Sequence, residues 1–230
     1  MRVKCARHGS LEEMSALPKL YAIVDRATLD ARGIVVREFA RELREAGVRL
    51  LQYRDKLHGP QEILRTAREI DAAFEGTPVI RVMNDRADLA VLAGWEGVHV
   101  GQEDLSVEAV RAVLIEHGPS KSGVAGLVGI STHNEHQVRE AIAAAPDYVA
   151  VGPVFRTASK SNPDPVVGLD LLRKARAMTK LPLVAIGGIT LANARDVIDA
   201  GADAVAVIGG LLVEGRPVRE VARDFLEVLG

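Results

Sequence analysis

The chain has 230 residues, of which 48% are hydrophobic, enough to bury one large core in the size range of single α/β barrels. A formal net charge of -2 and a pI near 6.3 exclude the global basic field that draws in a nucleic-acid backbone or an anionic membrane, so any anion must be met by local groups. A single cysteine, Cys5, excludes an internal disulfide, and every uncharged stretch is too short to span a bilayer.

Residues 1–18 start basic but lack the apolar segment of a secretory signal. They are expected to form an N-terminal extension to one catalytic domain, 19–230, in the cytoplasm. From there, short apolar, β-branched runs begin near Leu20, Leu50, Pro78, Gly97, Leu127, Tyr148, Pro182 and Ala204. They show no clean alternation, as expected of parallel strands covered on both faces, and helical patterns fill the gaps. Val35, Phe39 and Leu43 mark one buried helix stripe, with Arg37, Glu38, Arg41 and Glu42 outward. Val218, Val221, Ala222, Phe225, Leu226 and Leu229 mark another. Strand-then-helix units closing on themselves predict an α/β fold, a single-domain (β/α)8 TIM barrel; a doubly wound open sheet is the main rival.

In a barrel the loops past the strand C-termini build the site, so the polar residues that follow each run carry the chemistry. In "LQYRDK", Gln52, Arg54 and Lys56 alternate and share one face, which suits a polyanionic ligand unless Asp55 pairs with its neighbours. "MNDRADLA" places Asn84 and Asp85 where a helix is expected to begin, and "HVGQEDLS" does the same for Gln102, Glu103 and Asp104. Each carboxylate alone reads as a helix cap. Together, Asp85 and Asp104 end consecutive strands, and two hard carboxylates beside cations suit Mg²⁺, which binds few carboxylates and substrate phosphates. His99, inside the fourth run, reads as interior filling or a buttress for the site. "AIGGIT" and "VIGG" bring Gly187, Gly188, Ile208 and Gly209 to the ends of the last two strands, where barrels often hold a phosphate. Ser131 in "GIST", and Thr157, Ser159 and Lys160 in the long loop after Tyr148, add hydroxyls and a cation.

The ordered set "LQYRDK", "ND", "GQED", "GIS", "GPVFRTASK" and "AIGGI" resembles the thiamine-phosphate synthase family over nearly everything from Leu20 to Gly230. The resemblance implies a TIM barrel that condenses a hydroxymethylpyrimidine diphosphate with a thiazole phosphate, usually carboxylated, to give thiamine phosphate and diphosphate. It implies that Gln52, Arg54, Lys56, Asn84, Ser131 and Lys160 hold the pyrimidine diphosphate, with Arg54, Lys56, Ser131 and Lys160 catalytic. It places Mg²⁺ on Asp85 and Asp104, and the thiazole phosphate on Thr157, Ser159, Gly188, Ile208 and Gly209. The chain departs from the family where Gly209 replaces a frequent Ser and Arg86 a frequent second Asp. The implied chemistry is dissociative, so positioning and electrostatics carry it and no nucleophile is needed. None is evident. The loop Pro153–Val167 is expected to order over bound diphosphate.

A thiazole tautomerase using His133 in "GISTHN" is a rival reading, but an isomerase has no diphosphate for Arg54, Lys56 and Lys160 to meet. A non-catalytic barrel that binds a phosphometabolite is another, and would leave the paired carboxylates idle. Small-molecule substrates are expected, with no nucleic acid and no membrane; oligomeric state, a homo-oligomer included, stays open.

Overall fold

The computed structural model describes residues 17–116, 126–157 and 165–230. Eight parallel strands close into one barrel in sequence order: β1 Leu20–Asp25, β2 Leu50–Arg54, β3 Ile80–Asn84, β4 Gly97–Val100, β5 Leu127–Thr132, β6 Tyr148–Val151, β7 Leu183–Ile186 and β8 Ala204–Val207, with β8 pairing back onto β1. This excludes the open sheet. The run that begins on Pro182 enters the ladder at Leu183, because proline has no amide hydrogen to give a neighbour, and the run that begins on Pro78 enters at Ile80.

The described helices are α1 Arg26–Ala31, α2 Val36–Ala46, α3 Pro60–Ala73, α4 Ala87–Ala93, α5 Val107–Glu116, α6 Glu135–Ala143, α7 Gly168–Met178, α8 Ala194–Asp199 and α9 Val218–Leu229. In α9 the expected stripe is buried at Val218, Val221, Ala222, Phe225 and Leu229, with Leu226 half-buried at its margin. In α2 the stripe is Val36, Phe39, Ala40 and Leu43. Val35 was expected inside it but is 61% exposed, because the helix starts one residue later and Val35 occupies the cap position. None of the described helices is long and apolar enough to cross a membrane.

Two apolar layers follow from the strand pleat. Outward residues such as Val24, Leu51, Tyr53, Val98 and Val149 pack against the helices, while inward residues fill the barrel. Leu17, Leu50, Ile80 and Leu127 belong to the interior cluster, with Tyr21, Ile23, Tyr148 and Val184. Gly129 on β5 pairs in register with Tyr148 on β6, and a Cβ at Gly129 would lie 1.9 Å from the tyrosine ring. Glycine is therefore what admits the ring. The N-terminal end of the barrel is filled by aliphatic side chains, and polar groups gather toward the C-terminal end.

Candidate active site

The strand C-termini surround a cavity of about 700 Å³. Gln52, Arg54, Lys56, Asn84, Asp85, Asp104, Ser131, Thr157, Gly188, Ile208 and Gly209 all line it. These residues come from β2 to β8 and the loops after them, and with Tyr21 and Ile23 of β1 all eight strands converge on one space. Ser159 and Lys160 lie outside the described residues.

On β2 the period-2 pleat aims Gln52 and Arg54 inward, and Lys56 continues that face beyond the strand. Asp55 does not pair with its neighbours. It accepts from Tyr53 Oη at 2.8 Å, from Leu57 N at 2.9 Å and from His58, and so faces away from the cavity. Arg54 instead donates from Nη1 to Asp25 Oδ2 at 2.6 Å. Asp25 is buried at the end of β1, and its other oxygen accepts Thr28 N at 2.9 Å and Thr28 Oγ1 at 2.6 Å, capping α1. One carboxylate thus fixes both a helix start and the guanidinium that faces the cavity.

Lys56 pairs through Nζ with Asp85 Oδ2. Asp85 is not a helix cap, contrary to the simplest reading of "MNDRADLA". The chain reverses at Asp85 with φ 61°, its amide donates to His99 O at 2.7 Å, and α4 starts only at Ala87. Aspartate is among the few side chains that tolerate this left-handed conformation. Arg86 turns outward onto Asp88, at 2.9 and 2.6 Å, and is absent from the cavity lining. Asp104 is not a helix cap either: its Oδ2 accepts Gly101 N at 2.7 Å, and Ser106 Oγ accepts Ala109 N at 3.2 Å at the start of α5. Burial lifts the Asp85 carboxyl above the usual range, and the neighbouring Asp104 carboxyl adds to the rise while Lys56 opposes it. The two carboxyls are thus close enough to repel. Among the described residues no group of three or more His, Cys, Asp or Glu is placed to hold a metal. A pair of hard oxygen donors, with room beside it for phosphate and water, fits Mg²⁺ and suits a soft or imidazole-seeking metal poorly.

The opposite wall is backbone. Gly188 has φ 65°, and a Cβ there would sit 2.4 Å from Arg156 O, so this position admits only glycine without displacement. Asn193 Nδ2 donates to Gly188 O at 3.1 Å and holds the turn. A 3-10 turn, Gly209–Leu211, follows β8 directly, so Ile208 and Gly209 meet the cavity beside Gly188. Phe155 N donates to Gly187 O at 3.0 Å, and this brings Thr157, on the β6 loop, onto the same side.

Several lining residues were not singled out from the sequence: Tyr21, Thr28, Arg32, Arg156 and Thr190. Tyr21 and Asp25 alternate with apolar residues in "LYAIVD", a signal that was legible. Arg32 was not legible, since its cavity position depends on donating to Leu212 O at 2.7 Å, from the far end of the chain. His133 also lines the cavity, with its Nδ1 donating to Gly152 O at 2.6 Å.

A closed parallel barrel whose C-terminal rim joins cations, paired carboxylates and a glycine-built cradle defines a TIM-barrel enzyme of anionic small molecules. The family model described as thiamine monophosphate synthase matches residues 20–211. A thiamine-phosphate synthase from Koribacter versatilis is 52% identical over 215 residues, covering 93% of this chain and 96% of that protein. One from Methanoregula boonei is 39% identical over 209 residues, covering 90% and 91%. Among solved structures, the thiamine phosphate pyrophosphorylase from Pyrococcus furiosus superposes with a TM-score of 0.77 at 28% identity, over 92% of this chain and 95% of that one. The chain belongs to the thiamine monophosphate synthase family.

Proposed function

We propose that this barrel is a thiamine-phosphate synthase, which joins an aminopyrimidine-methyl diphosphate to a thiazole phosphate and releases diphosphate. The observation that supports the reading is that one cavity is lined by two separate sets of residues suited to anions. Arg54, Lys56, Asp85 and Asp104 come from β2 to β4 and the loops after them, and Thr157, Gly188 and Gly209 come from the loops after β6 to β8. Two substrates that each carry phosphate need two such sets, whereas a tautomerase or a single-metabolite binder needs one.

Asp85 and Asp104 would hold Mg²⁺, which when bound neutralises diphosphate charge and so eases its departure. Arg54, Lys56 and Lys160 bind the diphosphate oxygens, and their charge favours the leaving anion over the intact ester as negative charge grows. Gln52 and Asn84 orient the pyrimidine end of that substrate, and Ser131 meets its diphosphate. The electron-rich ring stabilises the exocyclic CH₂ cation left behind, and Ile23, Ala150, Val184 and Ala206 give the cavity an apolar floor that keeps water from that carbon. Thr157, Ser159 and the backbone around Gly188, Ile208 and Gly209 hold the thiazole phosphate so that its ring nitrogen faces the carbon. Positioning replaces covalent catalysis throughout.

The test is to incubate the protein with both substrates and Mg²⁺ and to measure diphosphate and thiamine phosphate. Release requiring both substrates is expected. Tautomerisation of the thiazole without diphosphate release, or binding without turnover, would displace this reading.

A further inference from the structure

Four side chains that line the cavity, Gln52, Tyr21, His99 and Ser131, join the buried Tyr148 in an unbroken chain of hydrogen bonds. Gln52 Nε2 lies 2.9 Å from Tyr21 Oη, which lies 2.9 Å from Tyr148 Oη. Tyr148 Oη lies 2.9 Å from His99 Nδ1, and His99 Nε2 lies 2.8 Å from Ser131 Oγ.

Gln52 fixes the first link, and requiring an acceptor for each buried hydroxyl proton gives the others their direction. An amide nitrogen only donates, so Tyr21 accepts from Gln52, and Tyr148 Oη is the acceptor in reach of its own buried proton. Tyr148 has then accepted once, and its proton goes to His99 Nδ1. A ring nitrogen that accepts is unprotonated, so neutral His99 carries its proton on Nε2 and gives it to Ser131. Ser131 Oγ therefore receives from below, and its own proton is left for the cavity that the residue lines.

The surroundings hold this arrangement. Tyr21 and Tyr148 are fully buried, and burial pushes both phenols far above their ordinary range, so each keeps the one proton the count requires. Tyr148 also stacks on His99, with ring centroids 5.6 Å apart and an interplanar angle of 16°, in the space that Gly129 leaves open.

The geometry points to a positioning relay in which Gln52, Tyr21, Tyr148 and His99 set the polarity of the Ser131 hydroxyl, making it a donor to the anionic substrate. This rests on the transferase reading for what Ser131 meets. The opposite His99 tautomer would draw the serine proton down onto Nε2 and turn an oxygen lone pair toward the diphosphate, converting an attraction into a repulsion. His99 and the tyrosines act through Ser131 and are positioning residues.

Histidine-selective ¹⁵N NMR on the substrate-free protein reads the tautomer whether or not the protein turns over, with His99→Gln assigning the signal. Protonated Nε2 and bare Nδ1 are expected in the wild type. Tyr148→Phe keeps the stacked ring but removes the proton aimed at Nδ1, so the Nδ1–H form should become populated. Its kcat should fall about tenfold, with KM for the thiazole phosphate retained. Ser131→Ala should lose a similar factor, and adding Tyr148→Phe to it should cost little more, because both remove one donor. A dominant Nδ1–H form in the wild type, an unchanged kcat in Tyr148→Phe, or additive losses in the double variant overturns the relay and leaves the condensation intact. A wild type that releases no diphosphate overturns the transferase reading instead, and the tautomer measurement still decides the relay.

Discussion

Asp85→Asn separates a metal site from a structural turn, because Asn shares the tolerance of Asp for the left-handed backbone observed at φ 61°. The substitution changes a charge and leaves the turn in place. Removing one carboxylate from the shell of a hard cation should weaken Mg²⁺ binding and slow diphosphate departure by roughly tenfold, about 1.4 kcal/mol, with partial recovery as Mg²⁺ is raised. Stability should move the other way or not at all. Burial and the Asp104 carboxyl hold Asp85 above its ordinary range despite Lys56, so its ionised form is disfavoured by the fold at neutral pH. The neutral amide lifts that cost while losing the half-exposed Lys56 pair, itself worth about 0–1 kcal/mol. The assay is turnover against Mg²⁺ concentration for wild type, Asp85→Asn and Asp104→Asn, with thermal melting alongside. Wild-type rates at low Mg²⁺ in both variants, full activity in excess chelator, or a melting point lowered enough to explain the lost rate would refute the reasoning.

Gly188→Ala should destabilise by about 1–2 kcal/mol, since φ 65° and the Arg156 carbonyl 2.4 Å from the new methyl both oppose it. It should also raise KM for the thiazole phosphate while sparing that for the pyrimidine diphosphate, as two-substrate kinetics and melting would show. Lys160→Ala should lower turnover of the diphosphate substrate with no change in melting, and unchanged kinetics would remove Lys160 from the site.

The fold was legible because parallel strands buried on both faces leave apolar runs too short and too β-branched to be helices, and because these recur between helical stripes. Boundaries slipped where local chemistry outranked hydrophobicity, at the proline before β7 and at Val35. Arg54 and Lys56 were legible through their alternation past β2, and Asp85 and Asp104 through their places after consecutive strands. Their partners were not. Arg54 finds Asp25 from the neighbouring strand, and Lys56 finds Asp85 from the next one along, although Asp55 sits between the two cations in sequence. Tyr21 and Tyr148 counted as apolar strand residues, and only register reveals that their hydroxyls meet from opposite sides of the barrel.

The pairing of Lys56 with Asp85 bears on the order of events at the rim. In the ligand-free protein the ammonium occupies one of the carboxylate oxygens that Mg²⁺ would use, so the two cations compete. Diphosphate changes the balance, because it offers Lys56 an anion of its own and offers the metal further oxygens. Metal and diphosphate should therefore bind with positive coupling, each making the other's place more favourable. Lys56 is 51% exposed, which limits the pair to about 1 kcal/mol, a factor of roughly five in affinity. Lys56→Ala should accordingly tighten Mg²⁺ on the substrate-free protein by up to about fivefold while slowing turnover, opposite signs from a single change. Titration of the free protein with Mn²⁺ by electron paramagnetic resonance, repeated with inorganic diphosphate, measures both affinities. Weaker Mn²⁺ binding in Lys56→Ala without diphosphate, or equal affinities with and without diphosphate in the wild type, would show that the lysine supports the metal site and does not compete for it.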